Sequence, residues 1–83
     1  MKLLITKKAS KELDKIPNKI AKNIAAKILE LSSNPYPIIN SKKLQSKNSY
    51  RIRIGSFRVI YFINKVKKEI TILRIADRKT VYQ

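Results

Sequence analysis

With 83 residues, 43% of them hydrophobic, the chain can form one domain around one modest core. Twenty Lys and Arg against five Asp and Glu give a net charge of +15, which strains a compact state and points to a polyanion, RNA ahead of an acidic protein or a membrane surface. Cysteine and histidine are absent, so disulfides, thiolate zinc and an imidazole base are excluded, and the scattered Glu12, Asp14, Glu30, Glu69 and Asp77 make neither a metal-dependent hydrolase nor a bound cofactor expected.

The N-terminal apolar run, Leu3-Leu4-Ile5, is too short for a signal-peptide core. No segment approaches the roughly 20 apolar residues of a membrane span, so a cytoplasmic protein without a membrane partner is expected. Leu3-Leu4-Ile5 reads as a short strand. Thr6 caps a helix predicted from Lys7 to about Lys15, with Ala9, Leu13 and Ile16 on one face. Pro17 suits the first turn of a second helix running to about Leu31. Ile20, Ile24, Ile28 and Leu31 form its apolar stripe with Ala21 and Ala25 beside it, while Lys19, Lys22 and Lys27 fall elsewhere.

Ser32-Ser33-Asn34-Pro35 ends that helix, and Pro37 keeps the chain extended. Asn40 to Ser49 reads as a polar, lysine-containing connection. From Tyr50 the hydrophobic period changes to two: Tyr50 to Ile54 alternates, Gly55-Ser56 follows, then Phe57 to Ile63. A turn around Asn64 to Lys68 leads into the β-branched run Ile70 to Ile75, and Arg78 to Tyr82 forms a short tail. The expected architecture is a single α+β domain over residues 1–83. A strand and a two-helix hairpin precede an antiparallel sheet of three or more strands, with the helices packed on one face.

Gly55 is the only glycine, and Gly-Ser is a recognised two-residue hairpin loop. A loop that tight sets Ile54 opposite Phe57, Arg53 opposite Arg58, Ile52 opposite Val59 and Arg51 opposite Ile60. Tyr50, Ile52, Ile54, Phe57, Val59 and Tyr61 then share the face toward the helices. Arg51, Arg53 and Arg58 emerge together on the other. Like charges set opposite each other destabilise a hairpin, so this cluster asks for an anion, and guanidinium can hold a phosphate through two hydrogen bonds. The blander alternative is an ordinary solvated strand face. Lys7, Lys8, Lys11, Lys19, Lys22 and Lys27 read as a solvated helix surface, useful at most for steering.

Tyr50-Arg-Ile-Arg-Ile-Gly-Ser-Phe-Arg-Val-Ile-Tyr61, followed by Ile72-Leu-Arg-Ile-Ala-Asp-Arg-Lys-Thr-Val-Tyr82, resembles the RelE/ParE toxins of type II toxin–antitoxin pairs. The helical pair and Lys42-Lys43-Leu44 fit the same pattern, so the resemblance spans essentially the whole chain. It implies a toxin of the RelE branch that enters the ribosomal decoding site and cuts messenger RNA there. The ribose 2′-hydroxyl attacks the neighbouring phosphate and leaves a 2′,3′-cyclic phosphate without a metal. The residues matching the branch's working positions are Arg51, Arg53, Arg58, Arg78 and Tyr82. Lys42, Lys43, Lys47 and Lys79 are the expected RNA-binding lysines. The resemblance also implies a cognate antitoxin, bound in a hetero-oligomer.

In-line attack needs a clamped backbone, and charge building on the phosphoryl oxygens needs fixed cations, assigned to Arg58 and Arg78. Arginine does not deprotonate, which leaves Tyr82 for proton transfer or for stacking on a base, with Lys47 or Lys79 able to share the proton work. Three other readings stand beside this one. They are a ParE-like inhibitor of DNA gyrase, a non-catalytic module binding ribosomal RNA, and a decayed toxin that only sequesters an antitoxin.

Overall fold

The computed structural model describes residues 1–33, 41–43 and 49–77 of the chain. Strand β1 (Lys2–Ile5) leads into helices α1 (Lys7–Asp14) and α2 (Asn18–Ser33). Strands β2 (Ser41–Lys43), β3 (Ser49–Ile54), β4 (Phe57–Asn64) and β5 (Glu69–Asp77) follow. They form one five-stranded sheet in the order β1-β5-β4-β3-β2. β1 runs parallel to β5 and the remaining pairs are antiparallel.

Thr6 works in two directions where the sheet hands over to α1. Its hydroxyl accepts the Ala9 N–H at 3.1 Å, as a helix cap should, and donates to the Leu73 carbonyl at 3.1 Å. The second bond ties the start of α1 to β5. At the next junction the Pro17 carbonyl accepts the Ala21 N–H at 2.8 Å, which places Pro17 at the entry of α2 as its missing donor requires.

The core lies between the helices and one face of the sheet. Ala9, Ile16, Ile24, Ile28 and Leu31 from the helices meet Ile52, Ile54, Val59, Tyr61, Ile63, Ile70, Ile72 and Ile75 from the strands. These strand residues follow the period of two, interrupted once on β5. There Ile60 pairs with Arg74 but Tyr61 with Ile72, so Leu73 is an extra residue in the ladder. The bulge lets Ile70 and Ile72 on one side of it, and Ile75 on the other, all reach the core. Tyr50 and Tyr61, directly opposed on β3 and β4, stack with ring centroids 5.7 Å apart.

Two expectations are corrected here. Ile20 does not join the buried stripe of α2, being 41% exposed; the stripe begins one turn further in, at Ile24. The segment from Asn40 to Ser49 is not wholly a connection, because Ser41–Lys43 ladders against β3. A three-residue edge strand with two lysines lacks the apolar alternation by which strands are recognised.

Gly55 turns the β3–β4 hairpin with φ +62°, and a Cβ there would meet nothing within 4 Å. The cost of a side chain is therefore one of backbone strain alone. Gly55→Ala should destabilise the fold by about 1 kcal/mol, read as a lower denaturant midpoint at unchanged slope. Asn, which tolerates this region better, should recover part of the loss.

Candidate nucleic-acid interface

The hairpin register is the one that the tight turn dictates. Arg53 pairs with Arg58, Arg51 with Ile60, Ile52 with Val59 and Ile54 with Phe57. Residues directly opposed on neighbouring strands share a sheet face, so the three arginines stand on the face away from the helical core. Across the sheet one row reads Arg53, Arg58, Ala76 and the next reads Arg51, Ile60, Arg74. Lys42 of β2 is the Cα partner of Arg51, which extends the second row by another basic residue, whereas Lys43 pairs with Tyr50.

The arginines differ in depth. Arg53 is exposed, Arg51 half-buried, and Arg58 only 5% exposed. All three share the expected face, but Arg58 is buried on it. It sits on the central strand β4, flanked by Arg53 on one side and Ala76 on the other. Opposed residues have Cβ atoms about 4.5–5.5 Å apart, so Arg53 and Arg58 bring two positive groups close together, one shallow and one deep. Such a pair can grip an anion between a guanidinium already partly dehydrated and one that reaches from solvent. Among the described residues Arg51 and Arg53 form no ion pair.

Arg74 is the basic residue of this region that sequence reasoning passed over, and its charge is already engaged. Its Nε and Nη2 donate to the Glu12 carboxylate at 3.0–3.3 Å, and the Ile75 N–H donates to the same carboxylate at 3.0 Å. Glu12 on α1 thereby covers the stretch of β5 beyond the reach of β1. Burial acts to raise the Glu12 pKa, but the bonds from Arg74 and Ile75, with the charges of Arg74 and Lys8, outweigh it and hold the carboxyl below its ordinary value. No local pattern in the sequence announces a pair 62 residues apart.

Asp77 pairs with Phe57 and so belongs to the row shared with Ile54, on the helix side. There it lines a cleft with Glu12, Lys15 and Phe57, away from the arginine rows. Arg78, Tyr82, Lys47 and Lys79 lie outside the described residues. The chain holds no His or Cys, and among the described residues no three acidic side chains gather as a metal site would require.

Comparison with known proteins adds the family. The family described as ParE toxin of type II toxin–antitoxin system, parDE, matches residues 3–82. No curated protein sequence matches the chain. Among solved structures, the archaeal RelE–RelB complex from Pyrococcus horikoshii OT3 contains a chain 29% identical, with a TM-score of 0.84 and 93% of each chain covered. The RelB–RelE antitoxin–toxin complex from Methanococcus jannaschii is also 29% identical, with a TM-score of 0.79, covering 95% of this chain and 94% of that one. The toxin–antitoxin complex RelBE2 from Mycobacterium tuberculosis is 25% identical at a TM-score of 0.79, with coverage of 93% and 96%. From the span of the family match and the shared fold, the chain belongs to the ParE toxin family of type II toxin–antitoxin systems, within the RelE/ParE superfamily.

Proposed function

We propose that this toxin is a metal-independent endoribonuclease that cleaves messenger RNA in the decoding site of the ribosome, in the cytoplasm, and that a cognate antitoxin restrains it. The observation carrying this reading is the direct pairing of Arg53 with Arg58, next to the row that holds Arg51. A gyrase-binding surface has no evident need for two guanidiniums opposed across a hairpin. A scissile phosphate does, because negative charge grows on its oxygens as the 2′-hydroxyl attacks. Arg58, held deep, meets the developing charge; Arg53 closes on the phosphate from solvent; Arg51, with Lys42 opposite it, holds the neighbouring backbone in line for attack. The resemblance adds Arg78 as a further cation and Tyr82 as the proton-transfer or base-stacking group. Lys43, Lys47 and Lys79 contribute to RNA affinity.

Two structural relatives at 29% identity are RelE–RelB complexes, which supports the nuclease branch. The matched family carries the ParE name, which favours the rival, gyrase inhibition. Induced expression followed by mapping of transcript 5′ ends separates the two. Cuts within translated frames are expected; intact transcripts accompanied by DNA damage would transfer the protein to the gyrase reading.

A further inference from the structure

Along β4 the sheet face turned away from the helices holds Arg58, Ile60, Phe62 and Asn64, because Val59, Tyr61 and Ile63 between them are fully buried on the helix side. Tyr50, Phe57 and Tyr61 belong to the hydrophobic core or pack against it; among the described residues Phe62 does neither. It is half-buried. Its cross-strand partners are Ser49 on β3 and Thr71 on β5, whose side chains are too small to cover both faces of a phenyl ring. The next row toward the hairpin turn, about 7 Å along the strand, is Arg51, Ile60 and Arg74. The Arg53–Arg58 row lies about 13 Å from Phe62. In the other direction Asn64, Glu69 and Lys2 make a row of mixed charge, so the positive field lies on the arginine side.

Aromatic residues suit strands, and packing accounts for the rings that face the helices. Packing does not account for a ring set beside cations on the opposite side. A ligand for this strip must satisfy guanidinium groups and a flat apolar surface together. Single-stranded nucleic acid offers both at every step, a phosphate and an open base, whereas a duplex keeps its bases stacked on each other. We propose that Phe62 is a stacking platform for a base of single-stranded RNA, on a nucleotide next to the one whose phosphate the arginine rows hold. The proposal deepens the nuclease reading and rests on it. Arg51 and Lys42 hold the backbone while the ring holds a base, so the scissile linkage has less freedom to swing out of line. Every base has a π-face, so Phe62 adds grip and alignment without choosing a sequence.

Single-turnover cleavage on programmed ribosomes, with the toxin varied to saturation, tests this. Phe62→Leu keeps an apolar side chain of similar size, and the fold with it, but removes the π-face. The cleavage rate divided by the half-saturating toxin concentration should fall at least about fivefold, the low end of what one stacked base contributes. Phe62→Tyr should restore it. A ring with a structural role alone would not sense the RNA, so a second measurement removes the base instead, using messages with an abasic nucleotide at each position flanking the cut in turn. At the stacked position, base loss should cost the wild type at least about fivefold more than it costs Phe62→Leu. Wild-type cleavage by Phe62→Leu, or an equal cost of base loss in both proteins at every flanking position, would overturn the proposal and leave the nuclease reading standing. Intact messages with the wild-type toxin would remove the nuclease reading and this proposal with it. Weaker antitoxin binding by Phe62→Leu at unchanged cleavage would assign the ring to that partner and overturn the RNA role.

Discussion

Replacing Arg58 by alanine is expected to slow RNA cleavage by about 10²–10³-fold, the loss typical when one fixed donor to a developing oxyanion is removed. The size follows from placement. Arg58 is 5% exposed on the central strand, with Arg53 across one ladder and Ala76 across the other. A charge held in that way needs little reorganisation when the phosphate becomes more negative, and it acts where water screens it least. Arg58→Lys keeps the charge but loses the planar fork, so only part of the rate should return. Single-turnover cleavage of a message on programmed ribosomes measures both variants. An unchanged rate for Arg58→Ala would remove this residue from the site.

Glu12→Ala should have the largest effect on stability, about 2 kcal/mol, or about 8–16 °C in melting temperature for a domain of this size. Its carboxylate receives two groups of Arg74 and the backbone N–H of Ile75, a residue only 2% exposed, so alanine strands a buried donor as well as breaking an ion pair. Arg74 is itself 40% exposed, which keeps the ionic share modest. The pH dependence has a definite sign. Because the folded-state pKa lies below the ordinary value of 4.5, the contribution is complete above the ordinary glutamate range and disappears as pH falls through the lowered folded value. Denaturant unfolding of wild type and Glu12→Ala should therefore differ by a constant amount from neutrality to about pH 5, and converge only in stronger acid. A difference that stayed constant at low pH would show that the carboxylate charge is not what joins α1 to β5.

Local chemistry explains which parts of the molecule could be read before the structure. Gly55-Ser56 closes the hairpin, and a two-residue loop leaves one register, so the Arg53–Arg58 pair follows from the sequence alone. Thr6 and Pro17 mark helix starts through bonds made within four residues, and both act as expected. What could not be read depends on long-range neighbours. Arg53 and Arg58 are directly opposed, yet one is exposed and the other buried, a difference that the alternation of neither strand encodes. The parallel docking of β1 on β5 and the Glu12–Arg74 pair join residues more than 60 positions apart. The bulge at Leu73 hides in an unbroken β-branched run, because nothing in Ile72-Leu73-Arg74 marks an extra residue.

The most direct measurement pairs stability with activity in Arg53→Ala. Arg53 is exposed, so its loss leaves no cavity, and removing one of two opposed positive charges should raise stability by about 0.2–1 kcal/mol. The same substitution should lower single-turnover cleavage on ribosomes by at least about tenfold, since one arm of the phosphate grip is gone. A melting temperature that rises while cleavage falls is the result predicted for charges kept close together to hold RNA. Cleavage that continues at the wild-type rate in the stabilised variant would contradict it.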